Sequence, residues 1–127
     1  MGSPAMVTAL AMLVGAEVGG VAFVRDYVEV HFDGPILRAL SSPIVAIDET
    51  EVRFPSEGSR DRLCLLIGRT VLAAREDAES LVLDFGGGVR LRVPLVTSEF
   101  VTEAAHLVPA SEGRPDVANM RVWESIP

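Results

Sequence analysis

The sequence predicts an α+β domain, built mainly of antiparallel sheet with two short helices. Short apolar segments alternate with polar residues at the two-residue period of a half-buried strand, as in Tyr-Val-Glu-Val-His-Phe at residues 27–32. Glycine-containing turns separate several of these segments, as expected for hairpins. A chain of 127 residues is long enough for one core, so residues 1–127 are predicted to form a single domain.

The first part of the chain, residues 4–40, predicts a helix followed by three strands. Ser3 and Pro4 are typical of a helix start, and Gly15 suits a helix end. Strands are predicted at residues 20–25, 27–32 and 36–40. Asp33 and Gly34 are predicted to form the turn between the second and third of these strands. Two further strands are predicted at residues 44–47 and 51–54.

Residues 59–94 predict the same order of elements. A helix begins at Ser59 and ends at Gly68, and strands follow at residues 70–74, 80–85 and 89–93. Cys64 lies in the apolar part of this helix and is predicted to be buried. The C-terminal part, residues 101–123, predicts strands at 101–108 and 120–123 with a polar loop at 109–119 between them. Trp123 is predicted to close the end of the core; the alternative is that it marks a contact surface, where tryptophan is often found.

An internal repeat with an offset of 53 residues relates these two parts. Six identical pairs fall at helix ends, strand centres and turns, where a structural repeat would place them. The pairs are Leu10 and Leu63, Leu13 and Leu66, Gly15 and Gly68, Val18 and Val71, Phe32 and Phe85, and Gly34 and Gly87.

Three consecutive glycines, Gly86 to Gly88, raise the question of a phosphate-binding loop. Such a loop runs from a strand into a helix whose N-terminus meets the anion. Here the glycines are followed by Val-Arg-Leu-Arg-Val-Pro, which alternates as a strand does. The glycines therefore predict a hairpin turn that needs positive φ angles, and no cofactor is expected.

The stretch from Leu63 to Val108 resembles a family of small, mainly actinobacterial proteins of unknown function. The resemblance rests on Leu-Ile-Gly-Arg-Thr-Val, on the alternating strand that ends in Phe85 and Gly86, and on the late Glu-Ala step at Glu103. Ala105 stands where that family has an aromatic residue. The resemblance implies a small α+β protein, and similar small domains sometimes serve as immunity proteins that neutralise a toxin.

The charge of the chain limits the kinds of partner. Eighteen acidic residues against 11 basic ones give a net charge of −7, which disfavours binding to nucleic acid or to an anionic membrane surface. Residues 4–24 are apolar apart from Glu17, but that charge and the glycines argue against a membrane span. One cysteine allows no internal disulfide, which suits a reducing cytoplasm. The many Ala, Gly, Val and Arg residues and the absence of lysine indicate the codon bias of a GC-rich genome, so we expect a bacterial, cytoplasmic protein.

Two short runs of acidic residues are the predicted partner-binding groups. They lie at strand connections, where exposed carboxylates would attract a basic protein; the alternative is that they are solvated turn residues. We call Asp48, Glu49 and Glu51 the first acidic cluster, and Glu76, Asp77 and Glu79 the second acidic cluster.

An alternative polar site would combine His31, Asp84 and His106. His31 and Asp84 occupy equivalent places in the two repeats, and such a pair could perform general acid–base chemistry. Otherwise both are solvated residues on an open sheet face. His106 follows Glu103 by three residues, but on a strand the two side chains point to opposite sides, so no metal site is predicted.

The leading functional hypothesis is a non-enzymatic interaction domain that binds a partner protein, with toxin neutralisation as one form. The runner-up is a small-molecule-binding protein or modest enzyme that uses a cleft between the two repeats. A third hypothesis is a homo-oligomer in which an uncovered edge strand pairs with another chain.

Overall fold

The fold is mostly antiparallel β-sheet, as the sequence predicts. The computed structural model describes residues 9–96 and 102–126. These residues form the strands β1 (Val18–Val24), β2 (Tyr27–Phe32), β3 (Ile36–Ala39), β4 (Ile44–Ile47), β5 (Thr50–Arg53), β6 (Ala73–Glu76), β7 (Ser80–Gly86), β8 (Val89–Pro94), β9 (Glu103–Val108), β10 (Ala110–Ser111), β11 (Arg114–Pro115) and β12 (Arg121–Glu124). The helical elements are α1 (Ser59–Cys64) and two 3₁₀ turns, Ala9–Leu13 and Val117–Asn119.

The strands form two five-stranded sheets. The first sheet has the order β1-β2-β3-β9-β12 and the second has the order β5-β4-β8-β7-β6. A small separate hairpin, β10–β11, lies within the predicted polar loop, which is therefore more structured than expected. The chain crosses between the sheets after β3 and again after β8. Each sheet consequently combines three consecutive strands from one half of the chain with two strands from the other.

Alternating side chains of the strands fill a core between the two sheets. Val28, Val30 and Phe32 of β2 are buried, whereas Glu29 and His31 lie on the opposite face, as the sequence predicts. Most buried apolar residues of both sheets belong to one continuous cluster, which contains Trp123. The prediction that this tryptophan closes the core is confirmed. Each fully buried aliphatic side chain contributes roughly 1.5–3 kcal/mol to folding.

The helical segments are shorter than predicted. Among the described residues, the first is a 3₁₀ turn at Ala9–Leu13, and its predicted start at Ser3 lies outside them. The tight turn suits the three-residue spacing of Leu10 and Leu13, because side chains at i and i+3 eclipse in this geometry and both are buried. The second helix, α1, ends at Cys64 instead of continuing to Gly68. Cys64 is exposed, so its predicted burial is wrong.

The turns that follow the two helical segments are joined to each other. The Gly15 N–H donates to the Val71 carbonyl at 2.8 Å, and the Gly68 N–H donates to the Val18 carbonyl at 2.8 Å. Two further bonds of 2.9 Å run from the Val18 N–H to Arg69 and from the Val71 N–H to Ala16. The four bonds form two pairs. Within each pair the two donor residues are 53 positions apart in the chain, as Gly15 is from Gly68, and so are the two acceptor residues.

The glycine-rich segment is a hairpin turn, as predicted. Gly86, Gly87 and Gly88 have φ angles of 77°, 61° and 80°, and β7 and β8 pair in antiparallel register on either side of them. These left-handed angles favour glycine because a side chain would clash with the backbone. The turn runs from strand to strand, so it provides no helix N-terminus for a phosphate.

The apolar N-terminal segment contributes to this fold through β1. Its residues Val18–Val24 pair with β2 at the edge of the first sheet. Within the part of the chain that the structure describes, no helix has both the length and the apolar character needed to cross a bilayer.

Candidate functional site

The first acidic cluster lies on the tight hairpin between β4 and β5. Asp48 and Glu49 form a two-residue turn with φ angles of 48° and 71°. Such a turn favours asparagine or aspartate followed by glycine, because left-handed backbone costs an ordinary residue such as glutamate roughly 1–2 kcal/mol. Glu51 follows on β5 and is exposed, and the Asp48 N–H donates to the Gly88 carbonyl at 3.1 Å. The acidic hairpin and the glycine hairpin therefore stand side by side.

Arginines of β8 lie next to this cluster on the outer face of the second sheet. Arg92 Nη2 donates to Glu51 Oε2 at 3.1 Å, and Arg90 Nε lies 3.4 Å from Asp84 Oδ2. Arg90 and Arg92 line a shallow depression of about 330 Å³ together with Arg75, Glu49 and Glu51. These arginines were not among the site residues predicted from the sequence. Their alternation with Val89, Leu91 and Val93 was the signal that they point outward.

The second acidic cluster lies at the opposite edge of the same sheet. The edge strands of this sheet are β5, beside the first acidic cluster, and β6, beside the second. The two clusters therefore do not form one continuous acidic patch. Glu76, at the end of β6, accepts a hydrogen bond from Trp123 Nε1 at 2.6 Å, and Arg121 Nη2 lies 3.8 Å away. The Glu76 side chain is only 21% exposed. It provides the polar partner that a buried indole N–H requires.

Asp77 holds the turn between β6 and β7. Its Oδ1 accepts hydrogen bonds from the backbone N–H groups of Glu79 at 2.8 Å and Ser80 at 2.9 Å. These two donors, with Arg75 as a smaller influence, hold the pKa of the Asp77 carboxyl below its usual range. Within the second cluster, Glu76 and Asp77 are thus engaged in contacts of the fold itself.

His31 belongs to a polar group on the outer face of the first sheet. Its Nε2 is 3.0 Å from Glu29 Oε1, and Arg38 Nε donates to the other oxygen, Glu29 Oε2, at 2.8 Å. Arg38 lies opposite Glu29 in the β2–β3 ladder, so these two strands position the pair. The Glu29 carboxylate, which is 14% exposed, is therefore shared between a histidine and an arginine.

His106 lies on the same face, next to Arg38 in the β3–β9 ladder. Its Nε2 is 3.0 Å from Glu103 Oε1, although the strand alternation predicted that the two side chains point apart. Glu103 lies where the β9–β12 register shifts, and a shift of this kind redirects a side chain. The other nitrogen, His106 Nδ1, is buried and has no hydrogen-bond partner among the described residues.

The residues of the alternative polar site are not brought together. His31 and His106 share the outer face of the first sheet, but Asp84 lies on β7 in the second sheet. There Asp84 Oδ1 accepts a hydrogen bond from the Gly86 N–H at 2.8 Å, and the carboxylate faces Arg90. Positions that the predicted repeat treats as equivalent thus fall in different sheets, which separates the predicted His–Asp pair.

An apolar groove of about 400 Å³ lies beside the first 3₁₀ turn. Ala9, Ala11 and Met12 line one side, and Leu107, Pro109, Asn119 and Arg121 line the other. None of the histidines or acidic candidate residues is among these lining residues. A search of the described residues for three or more His, Cys, Asp or Glu side chains that could hold a metal ion finds no such group.

Comparison of the chain with protein-family models, with curated proteins and with solved structures finds no match in any of the three. The similarity to the actinobacterial family therefore stays a prediction.

Proposed function

We propose that the protein is a non-enzymatic interaction domain of the bacterial cytoplasm, and that it binds a partner protein through the first acidic cluster. The observation that carries the proposal is the hairpin tip. Asp48 and Glu49 hold their carboxylates on a turn whose left-handed backbone glycine would adopt at lower cost. Residues in unfavourable backbone conformations cluster at binding sites, where the side chain is needed despite its cost.

Electrostatics supports a basic partner. The chain carries a net charge of −7, and the exposed carboxylates of Glu49 and Glu51 lie at a sheet edge that a partner can approach. Charges of this kind raise the rate of association, and salt screens them over about 8 Å at physiological ionic strength. Neutralisation of a basic toxin is one form that such binding would take.

The test compares charge variants in binding to the proteins encoded by neighbouring genes. Surface plasmon resonance at about 50 mM and about 500 mM NaCl should show a slower association rate at high salt. Neutralising the first acidic cluster with Asp48→Asn, Glu49→Gln and Glu51→Gln should slow association at low salt in the same way. A control that neutralises the exposed Glu17, Glu112 and Glu124 makes the same change in net charge elsewhere. Equal effects of the two triple variants would contradict the proposal.

The apolar groove favours a second candidate function, binding of a small molecule between elements from the two halves of the chain. Its volume lies within the range of ligand sites, and Arg121 adds one charged group to its apolar lining. Thermal-shift screening with apolar carboxylic acids tests this candidate. A rise in melting temperature that Met12→Glu removes would support it over the interaction domain.

We also propose that the two halves of the chain are related repeats. Support comes from the paired hydrogen bonds around Gly15 and Gly68, whose φ angles are both 88°. A Cβ atom would meet nothing within 4 Å at either position, so only the backbone angle opposes a side chain. Gly15→Val and Gly68→Val should therefore lower the free energy of unfolding by similar amounts, about 1–3 kcal/mol each. Urea denaturation checks this equality.

We also propose that the protein can self-associate through an edge strand. The strands at the edges of the two sheets are β1, β12, β5 and β6. Of these, β1 is the longest and carries no charged residue, so it lacks the usual protection against pairing with another chain. Sedimentation of the purified protein over a range of concentrations would detect a dimer.

A further inference from the structure

A cross-strand row of arginines runs over the outer face of the second sheet. The strand registers place Arg75 of β6 opposite Val82, Val82 opposite Arg92, Arg92 opposite Ile44, and Ile44 opposite Arg53. Directly opposite residues point to the same side of an antiparallel sheet. We call Arg75, Arg92 and Arg53 the arginine row. It contains three of the 11 basic residues of an acidic chain, with no acidic residue between them.

The two residues between the arginines are apolar. Ile44 and Val82 are only 5% and 7% exposed, yet they do not belong to the main core cluster. They form an apolar floor outside the core, and both line the depression that Arg75 and Arg92 also line. Arginine stems can cover such a floor while the guanidinium groups stay in water.

Acidic residues lie beside the row instead of within it. The neighbouring row on the same face contains Asp84, Arg90 and Glu51. Glu51 contacts Arg92, and Asp77 Oδ2 lies 3.7 Å from Arg75 Nε in a contact between two well-exposed groups. Exposed pairs of this kind contribute little energy, so a ligand carboxylate can replace them.

We propose that the arginine row binds an extended peptide segment that carries both acidic and apolar side chains. This inference rests on the proposed function and specifies a second contact of the same partner. The first acidic cluster meets basic groups, and the arginine row beside it meets an acidic segment. Together, the two surfaces recognise a partner that carries both basic groups and an acidic segment. This requirement provides more specificity than attraction by net charge alone.

The spacing of the row suits this ligand. Successive arginines lie two strands apart, which separates their Cα atoms by about 10 Å. Acidic side chains on one side of an extended peptide recur about every 7 Å, a difference that long arginine side chains accommodate. The guanidinium group binds a carboxylate through two parallel N–H···O bonds, and apolar side chains at further positions on the same side of the peptide would contact Ile44 and Val82.

The experiment measures fluorescence anisotropy of a labelled peptide made of repeated Glu-Gly-Glu-Gly-Leu-Gly units, in which the Glu and Leu side chains lie on one side of an extended chain. Matched peptides carry Gln or Lys in place of Glu. The full-length protein should bind the Glu peptide most tightly, and Arg75→Gln should weaken that binding by about tenfold. Arg75→Lys should restore only part of it, because lysine cannot form the two parallel bonds. Arg114→Gln, in the separate β10–β11 hairpin, is the control with the same change in charge.

Two results would overturn the inference. One is equal binding of the Glu and Gln peptides, and the other is an equal effect of Arg75→Gln and Arg114→Gln. The proposed function is judged separately by the triple neutralisation of the first acidic cluster, which leaves Arg75 in place. Loss of partner binding in that variant, with no acidic-peptide binding by the wild type, would support the interaction domain and reject the arginine row as its second contact.

Discussion

The two acidic clusters look alike in the sequence and differ in the structure. The first cluster lies on a hairpin tip, where Asp48 and Glu49 occupy left-handed positions. The second lies at the other edge of the same sheet, where Glu76 bonds to the buried Trp123 and Asp77 bonds to the backbone of its own turn. In the second cluster, carboxylates stabilise the fold. In the first, Glu49 occupies a left-handed position that glycine would adopt at lower cost.

This difference shows what decides the role of a surface carboxylate. Both clusters follow short strands and both have arginines nearby, so composition does not separate them. The contact of Glu76 depends on Trp123, which the chain brings to β6 from 47 positions away. Substitutions in the two clusters should therefore change stability in opposite directions.

The largest effect is expected at Glu76. Glu76→Ala should lower the free energy of unfolding by about 1–3 kcal/mol, because the Trp123 indole N–H then loses its partner while it remains buried. Chemical denaturation followed by tryptophan fluorescence measures the change. Glu76→Gln keeps an acceptor oxygen and should cost less than the alanine variant. Equal losses in both variants would mean that the hydrogen bond does not stabilise this edge.

Substitution of Asp77 should lower the free energy of unfolding by an amount that depends on pH. Its folded pKa is lowered, so the charged carboxylate stabilises the fold fully above the ordinary aspartate pKa. That contribution is lost as the pH falls through the lowered pKa. The difference in unfolding free energy between wild type and Asp77→Asn should therefore shrink in acid, as measured by denaturation at a series of pH values. Asp77→Ala, which removes the acceptor as well, should remain destabilising throughout. A constant difference for Asp77→Asn would contradict the role of charge.

The smallest change, and one of opposite sign, is expected at Glu49. Glu49→Gly removes the cost of a left-handed glutamate and should raise the free energy of unfolding by about 0.5–1 kcal/mol. The same substitution removes a carboxylate from the first acidic cluster and should weaken partner binding. Thermal denaturation and surface plasmon resonance measure the two effects. A stabilised variant with unchanged partner binding would show that Glu49 is only a turn residue.

Local patterns predicted most strands and their inward faces well, although β6 lies at Ala73–Glu76 instead of the predicted residues 70–74. The alternation at Val28, Val30 and Phe32 identified β2 with its observed bounds, and Gly86 to Gly88 identified the hairpin that follows β7. These features depend on neighbours in the chain, so a single sequence reveals them. The end of α1 was less predictable, because the turn before Gly68 continues the apolar pattern without the helix.

Contacts between distant strands could not be predicted in this way. His31 and Asp84 were paired because they are equivalent in sequence, but the crossings between sheets place them on different sheets. The acceptor for Trp123 and the neighbours of Glu51 likewise depend on strand order. The alternation of Arg90 and Arg92 did indicate an outward face, whereas the alignment of Arg75, Arg92 and Arg53 required the register of four strand pairs.

The exchange of strands between the two halves makes the fold indivisible. A cut in the segment between β5 and α1 would leave one fragment with three strands of the first sheet and two of the second, and another with the converse. Neither fragment could cover its own apolar face, since the strands that complete each sheet belong to the other. The nicked protein should persist as a tightly associated pair of fragments that unfold together, because each sheet is complete only when both fragments contribute their strands.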